Sequence, residues 1–219
     1  MLARTGAAVA RNVRQKMGGL RLLRSLDDGC ARVAFCDPQY RTVLDKLNYG
    51  NEGARQKGRA ALPQMTERTI ALFVQEIERV LAPSGYLMLW TDKFGLAEGR
   101  HRALLRYAPR LRQVDLIHWN KMRIGMGKRA RCQSEYLLVL QKEPIIAAAT
   151  WRDRGIRDTW SEMSDRDLHP HAKPAALIER LIRATTKPRD LVVDPCAGGY
   201  GVLEVCRLAN RDFIGCDIA

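Results

Sequence analysis

Two short stretches hold residues whose types and spacing can do chemistry. In "VAFCDPQYR" (33–41) an apolar run ends in Asp37, Pro38, Gln39 and Tyr40. In "LVVDPCAGGYG" (191–201) a second apolar run ends in Asp194 and enters a turn rich in glycine, at 198, 199 and 201. A carboxylate and the carbonyl of Pro38 accept hydrogen bonds, and a tyrosine ring offers a flat face for stacking a base. Two acceptors beside an aromatic suit a planar group that bears an NH2. In the second stretch, glycines let the backbone approach a ligand. Asp217, at the end of "FIGCD" (213–217), is then spaced to take ribose hydroxyls. The dinucleotide fingerprint fits poorly, because Glu204 stands where its third glycine would fall. Plainer readings exist for both: a strand ending in an Asp-Pro turn, and a tight strand-to-helix turn with no ligand.

The surrounding pattern says how these residues are positioned. Residues 31–36 read as a short strand. Ile70, Phe73, Val74, Ile77, Val80 and Leu81 recur at helical spacing from Thr66 onward, and Pro83-Ser84-Gly85 closes that run. "YLMLW" (86–90) reads as a buried strand, followed by a helix near 96–107 and strands near 113–119 and 136–141. Leu177, Ile178, Leu181 and Ile182 mark another helix, and 191–194 and 213–217 are strands around the glycine turn. Strands and helices alternate, and the strands are apolar throughout. The expected fold is α/β: a doubly wound, mostly parallel sheet with helices on both faces. Asp37 and Asp194 then both lie at strand C-termini, where ligands bind such sheets.

Composition narrows the partners. The chain has 219 residues, 46% hydrophobic and 28% charged, which suits one soluble domain. No apolar run approaches the roughly 18 residues of a membrane span, and no membrane partner is expected. Lys+Arg 37 against Asp+Glu 24 gives a net charge of +13, a surplus that favours polyanions. The first sixteen residues suggest a frayed or nucleic-acid-contacting arm. Six cysteines, at 30, 36, 132, 196, 206 and 216, form no C-x-x-C and no zinc spacing. No metal is expected, and the thiols read as reduced in a cytoplasmic compartment. Basic residues concentrate in "KMRIGMGKRAR", with Lys121, Arg123, Lys128, Arg129 and Arg131, and in a long polar stretch with Arg55, Lys57 and Arg59. Both suit phosphate contacts, and both also suit a solvated loop.

The two chemical stretches resemble the motifs of the exocyclic-amino DNA methyltransferases. Asp37-Pro38-Gln39-Tyr40 looks like their (Asp/Asn/Ser)-Pro-Pro-aromatic catalytic motif, and "DPCAGGYG" looks like their S-adenosylmethionine motif. "HPHAKP" (169–174) resembles the element that precedes the cofactor motif, and "ERVLAPSGYLMLW" the helix and strand that follow the catalytic one. The resemblance runs from about residue 17 to the end. Catalytic motif first and cofactor motif last is the order of the β group.

The resemblance implies a Rossmann-like methyltransferase domain over 1–219, with a short target-recognition region around 121–168. It implies S-adenosylmethionine as cofactor. Asp194, Pro195, Cys196, Ala197, Gly198, Gly199 and Asp217 would hold it, with His169 and Lys173 near its methionine end. A base flipped out of double-stranded DNA would meet Asp37, Pro38, Gln39 and Tyr40. Asp at the first motif position favours adenine N6, with cytosine N4 next, in the setting of a bacterial or phage restriction-modification system. A homodimer and a cognate restriction enzyme are the further partners it brings. Gln39, Cys196, Tyr200 and Gly18 depart from the pattern, which supports a rival: a catalytically weak nucleic-acid-binding protein that keeps the fold.

Overall fold

A computed structural model describes residues 9–38, 65–125, 129–164 and 172–218. Gln39, Tyr40, Arg55, Lys57, Arg59, Lys128 and His169 lie outside them. The strands are β1 (Ala31–Cys36), β2 (Leu81–Thr91), β3 (Leu111–Gly125), β4 (Cys132–Lys142), β5 (Thr159–Ser161), β6 (Leu191–Asp194) and β7 (Asp212–Gly215). They form one sheet in the order β5-β3-β4-β2-β1-β6-β7. Pairs β1/β2, β1/β6, β6/β7 and β3/β5 run parallel, whereas β4 is antiparallel to both β2 and β3. The expected doubly wound, mostly parallel sheet is thus present, with one antiparallel hairpin built into it.

The helices are α1 (Gly19–Ser25), α2 (Glu67–Val80), α3 (Lys93–Ala97), α4 (Arg100–Leu105), α5 (Ala175–Thr185) and α6 (Gly201–Ala209). α1 and α2 cover one face of the sheet. Leu22, Leu23, Ile70, Val74 and Ile77 pack there against Ala34, Cys36, Leu87 and Leu89. α5 and α6 cover the other face, with Leu177, Leu181, Leu203 and Cys206 against Val33, Phe35, Tyr86 and Met88. Successive residues of β1 therefore serve opposite cores, which is why the strand is apolar throughout. α2 begins where Thr66 accepts from the Thr69 amide at 3.1 Å, a side-chain cap at the residue where the helical pattern sets in.

Some boundaries differ from expectation. The helix expected near 96–107 is two short ones, because Gly99 takes a left-handed φ of 68° between them. β3 and β4 are longer than expected, and Lys121, Arg123 and Gly125 of the basic stretch belong to β3 itself. Four residues, 121–124, stand opposite the single residue Gln133 between the pairs Asn120↔Ser134 and Gly125↔Cys132. That bulge is held by Asn120 Oδ1, which accepts from the Met122 amide at 2.9 Å and from Gln133 Nε2 at 3.0 Å. Trp151 and Trp160 pack against the core, Trp151 edge-on to Tyr86 at 5.6 Å.

The N-terminal arm is not frayed from residue 9 onward. Asn12 N donates to Phe213 O (2.8 Å), Met17 N to Asp217 O (3.0 Å), and Asp217 N to Gln15 O (3.1 Å). The arm thus continues the sheet edge beyond β7 and leads into α1. Gly19 opens that helix directly against the cofactor-type turn. A Cβ there would fall well inside contact of the Pro195 carbonyl oxygen and of the Phe73 ring. Backbone cannot yield as a side-chain tip does, so Gly19→Ala is expected to destabilise the fold by about 1–3 kcal/mol. Urea unfolding checks this; an unchanged midpoint would mean that α1 and the turn are not packed as described.

Candidate active site

The chemistry-bearing residues gather at one edge of the sheet, at the C-terminal ends of the parallel strands. Asp37 follows β1, Asp194 ends β6 and Asp217 follows β7. β4 runs the other way, so its beginning reaches the same edge. Glu135 lies one residue before the last β2/β4 pair, Thr91↔Tyr136, and pairs with Trp119 of β3. β1 connects onward to β2 on one side, while β6 connects to β7 on the other. The crevice between β1 and β6 is therefore the switch point at which ligands bind doubly wound sheets.

The turn after β6 is built around its acids. Asp194 is buried, and its Oδ1 accepts from the Cys196 amide at 3.1 Å. Asp217 Oδ2 accepts from the Gly198 amide at 3.0 Å, and Gly198 takes a φ of 49° to present it. Ala197 N donates to Cys216 O at 3.0 Å, which ties the turn to the segment after β7. Tyr200 holds a left-handed φ of 60° at the start of α6. Its hydroxyl donates to Gln15 O (2.7 Å) and accepts from Gln15 N (3.1 Å), so this side chain fastens the N-terminal arm over the turn. The Cys196 thiol contacts the Cys36 thiol across the β1/β6 junction, and with burial this pushes it up. Burial also drives the Asp194 carboxyl up, to about 7; the Cys196 amide opposes the rise and the charges of Asp37 and Asp217 add to it.

Across the crevice, Asp37 is held by a cation. Lys173, just before α5, places Nζ 2.9 Å from Asp37 Oδ2 and 2.7 Å from Glu135 Oε2. The same ammonium lies 5.1 Å from the centre of the Trp90 ring. Lys121 takes the other oxygen of Glu135, at 3.1 Å. Burial alone would depress Lys173, but the charges of Asp37 and Glu135 more than reverse this and hold it above the usual lysine range. Burial would likewise raise Glu135, yet Lys173 and Lys121 bring it down to about 2.

Of the expected residues, Asp37, Pro38, Lys173, Asp194, Pro195, Cys196, Ala197, Gly198, Gly199 and Asp217 converge on this crevice; Pro38, Pro195 and Ala197 are buried. Lys173 stands on Asp37, whereas the resemblance set it at the methionine end of a cofactor. Lys121 pairs with Glu135, whereas the charge pattern read it as a phosphate contact. Arg123 and Arg129 are exposed on the hairpin. Glu135 and Trp90 went unread; the signal for Glu135 was an acid at the head of the apolar run "YLLVL".

The acids fit a cationic ligand and repel a polyphosphate, since Asp37, Asp194 and Asp217 face one another with the turn's Gly198 amide already taken. An acid held at about 7 in the fold and near 4 in the unfolded chain stabilises the fold below pH 4. That contribution is lost as pH rises through about 7, so at about pH 8 Asp194 costs stability. Asp194→Asn is expected to melt higher than the parent at about pH 8, with the advantage shrinking towards about pH 5. Calorimetry at both pH values measures it; an equal difference at the two would remove the buried carboxyl from the account.

Comparison with known proteins accords with this geometry. The DNA methylase family profile matches residues 31–219. The chain is 51% identical to Type II methyltransferase M.HhaII of Haemophilus parahaemolyticus, over 94% of this chain and 91% of that one. Among solved structures, the M1.HpyAVI–SAM complex superposes with a TM-score of 0.65 at 16% identity, covering 94% of this chain and 92% of that one. PvuII DNA methyltransferase, cytosine-N4-specific, gives a TM-score of 0.68 at 16% identity over 96% and 83%. These likenesses share the fold. The family match and the M.HhaII identity cover most of the chain, and the chain belongs to the DNA methylase family of N6/N4 amino-methyltransferases.

Proposed function

We propose that the chain transfers a methyl group from S-adenosylmethionine to the exocyclic amino group of adenine in double-stranded DNA. One observation carries the reading: Asp37 at the end of β1 faces the acid-lined turn Asp194–Gly199 at the end of the neighbouring β6, across the switch-point crevice. The cofactor supplies an electrophilic methyl on a cationic sulfonium, and the acids of the turn suit that charge. Asp217 suits ribose hydroxyls, and Asp194 suits the amino acid portion.

Asp37 and the Pro38 carbonyl then accept from the target amino group. This draws the nitrogen lone pair out of conjugation with the ring and aims it across the crevice. Asp37 is placed to take the proton that the nitrogen sheds. The rate gain comes from orientation and charge complementarity. Tyr40, by its motif position, stacks on the flipped base. His169, by its motif position, joins the cofactor side. The exposed Arg123 and Arg129 grip phosphates, and recognition draws on 121–168. A second copy of the chain and a cognate restriction enzyme remain partners within this reading, which sets the enzyme in a bacterial cytoplasm.

Cytosine N4 is the second reading, favoured by the fold shared with the cytosine-N4-specific PvuII enzyme. Nucleoside mass spectrometry on DNA from cells expressing the chain decides: N6-methyladenine is expected. N4-methylcytosine moves the proposal to the second base, and neither base modified removes the activity.

The hairpin has its own test. Each lost phosphate contact lowers the slope of log K against log salt by roughly 0.9. Arg123→Ala with Arg129→Ala should therefore flatten it by up to about 2, equally on all duplex sequences. Fluorescence anisotropy at several salt concentrations reads this. An unchanged slope would leave the hairpin solvated and not bound to DNA.

A further inference from the structure

The Asp37 pair with Lys173 poses a difficulty for the reaction just described. Transfer moves positive charge from the sulfonium towards the base nitrogen, next to Asp37. An ammonium 2.9 Å from Asp37 works against that movement, and it holds an oxygen that the incoming amino group needs. Alone, Asp37 and Lys173 form a neutral pair with little attraction for a developing cation.

Glu135 changes both terms. Its Oε2 lies 2.7 Å from the same Lys173 nitrogen, closer than Asp37 does, so the ammonium is shared and not committed to Asp37. Its charge offsets, at close range, the ammonium that faces Asp37; with Lys121 on its far side the four charges balance, so the effect is local to Asp37. Its other oxygen is fixed by Lys121 of β3, at 3.1 Å, so the carboxylate has one orientation. Trp90 supports the ammonium from the ring side, at 5.1 Å. Glu135 comes from β4, Lys173 from the segment before α5 and Asp37 from the end of β1, so three separate parts of the fold are brought to one cation. Half-buried charges from distant elements converge at a cost in desolvation that surface pairing does not impose.

We propose that Glu135 is a positioning residue for methyl transfer: it shares the Lys173 ammonium with Asp37, leaves Asp37 able to take the target amino group, and offsets the ammonium's charge beside the nitrogen that receives the methyl. The inference rests on Asp37 being the acceptor for that amino group.

Single-turnover transfer of tritiated methyl from S-adenosylmethionine to unmethylated bacteriophage genomic DNA tests it, with calorimetric cofactor affinity and melting temperature alongside. Glu135→Gln keeps the shape and removes the charge. It should slow transfer by on the order of tenfold to a hundredfold, with cofactor affinity close to the parent's and a lower melting temperature, since a carboxyl held at about 2 stabilises the fold at neutral pH. Glu135→Asp keeps the charge and should recover most of the rate. Adding Lys173→Met to Glu135→Gln should cost far less than the two single losses multiplied, since both act through one cation. Asp37→Asn separates the two layers of the argument. If it is inactive while Glu135→Gln runs at the parent rate, the role of Glu135 falls and the function stands. If Asp37→Asn runs at the parent rate, the reading of the site itself falls. Equal slowing of the Gln and Asp variants would make Glu135 a structural residue only.

Discussion

Carboxylates gathered at one edge of a sheet repel one another, and burial makes each charge costlier still. That constraint governs the crevice of this protein. Asp37, Asp194, Asp217 and Glu135 are brought there by strand ends, and each is managed differently. Glu135 is held by two ammonium groups and is strongly acidic. Asp217 is given a backbone amide of the glycine turn. Asp194 has one amide and, among the described residues, no cation, and burial raises its pKa. The result is a gradient of charge, compensated beside β4 and left wanting a cation beside β6. A ligand that carries positive charge relieves the uncompensated end, which is how a sheet edge built of acids becomes a binding site.

The antiparallel strand makes this arrangement possible. In a wholly parallel sheet every strand start would lie at the opposite edge. Because β4 runs against β2, its N-terminal half delivers Glu135 to the strand ends. The hairpin partner β3 arrives there at its own C-terminal end and brings Lys121 within 3.1 Å of that acid. Immediately beyond, the bulge at 121–124 turns the hairpin outward with Arg123 and Ile124 exposed. One hairpin thus turns Lys121 inward to the acids and Arg123 outward to solvent.

How much of this was legible in the sequence follows from which forces act locally. β1, β6 and the onset of the helical pattern at Thr66 were plain, since an apolar run bounded by Asp-Pro and a change of hydrophobic period are local signals. Asp37 and Asp194 could be set at strand ends for the same reason. Glu135 was hidden because its meaning lies in Lys173, thirty-eight residues away, and in a reversal of strand direction that periodicity does not encode. The pairing of Lys121 with Glu135 was hidden because composition alone cannot tell a lysine facing a partly buried acid from one facing solvent. The N-terminal arm was misread because its order comes from pairing with β7, some two hundred residues distant, and not from its own sequence.

Departures from the family pattern also acquire physical meaning in the fold. Cys196, where the pattern has an aromatic, sets its thiol against Cys36, so two small residues share the space across β1 and β6. Tyr200, where the pattern has a glycine, accepts a left-handed backbone and uses its ring and hydroxyl to seize Gln15 at 2.7 Å, with Arg14 over the ring at 5.4 Å. Gly19, next to the Gly18 that stands where the pattern has an acid, lets α1 begin against the Pro195 carbonyl with no side chain between them, whereas Gly18 itself faces open space. Cys196 and Tyr200 are thus each answered by a contact from another part of the chain. A buried acid that meets one backbone amide and, among the described residues, no cation is costly to the fold, and a cationic ligand offsets that cost. The turn keeps that acid and is itself held by Cys36 at Cys196 and by Gln15 at Tyr200, which argues for a working cofactor site over a relic of one.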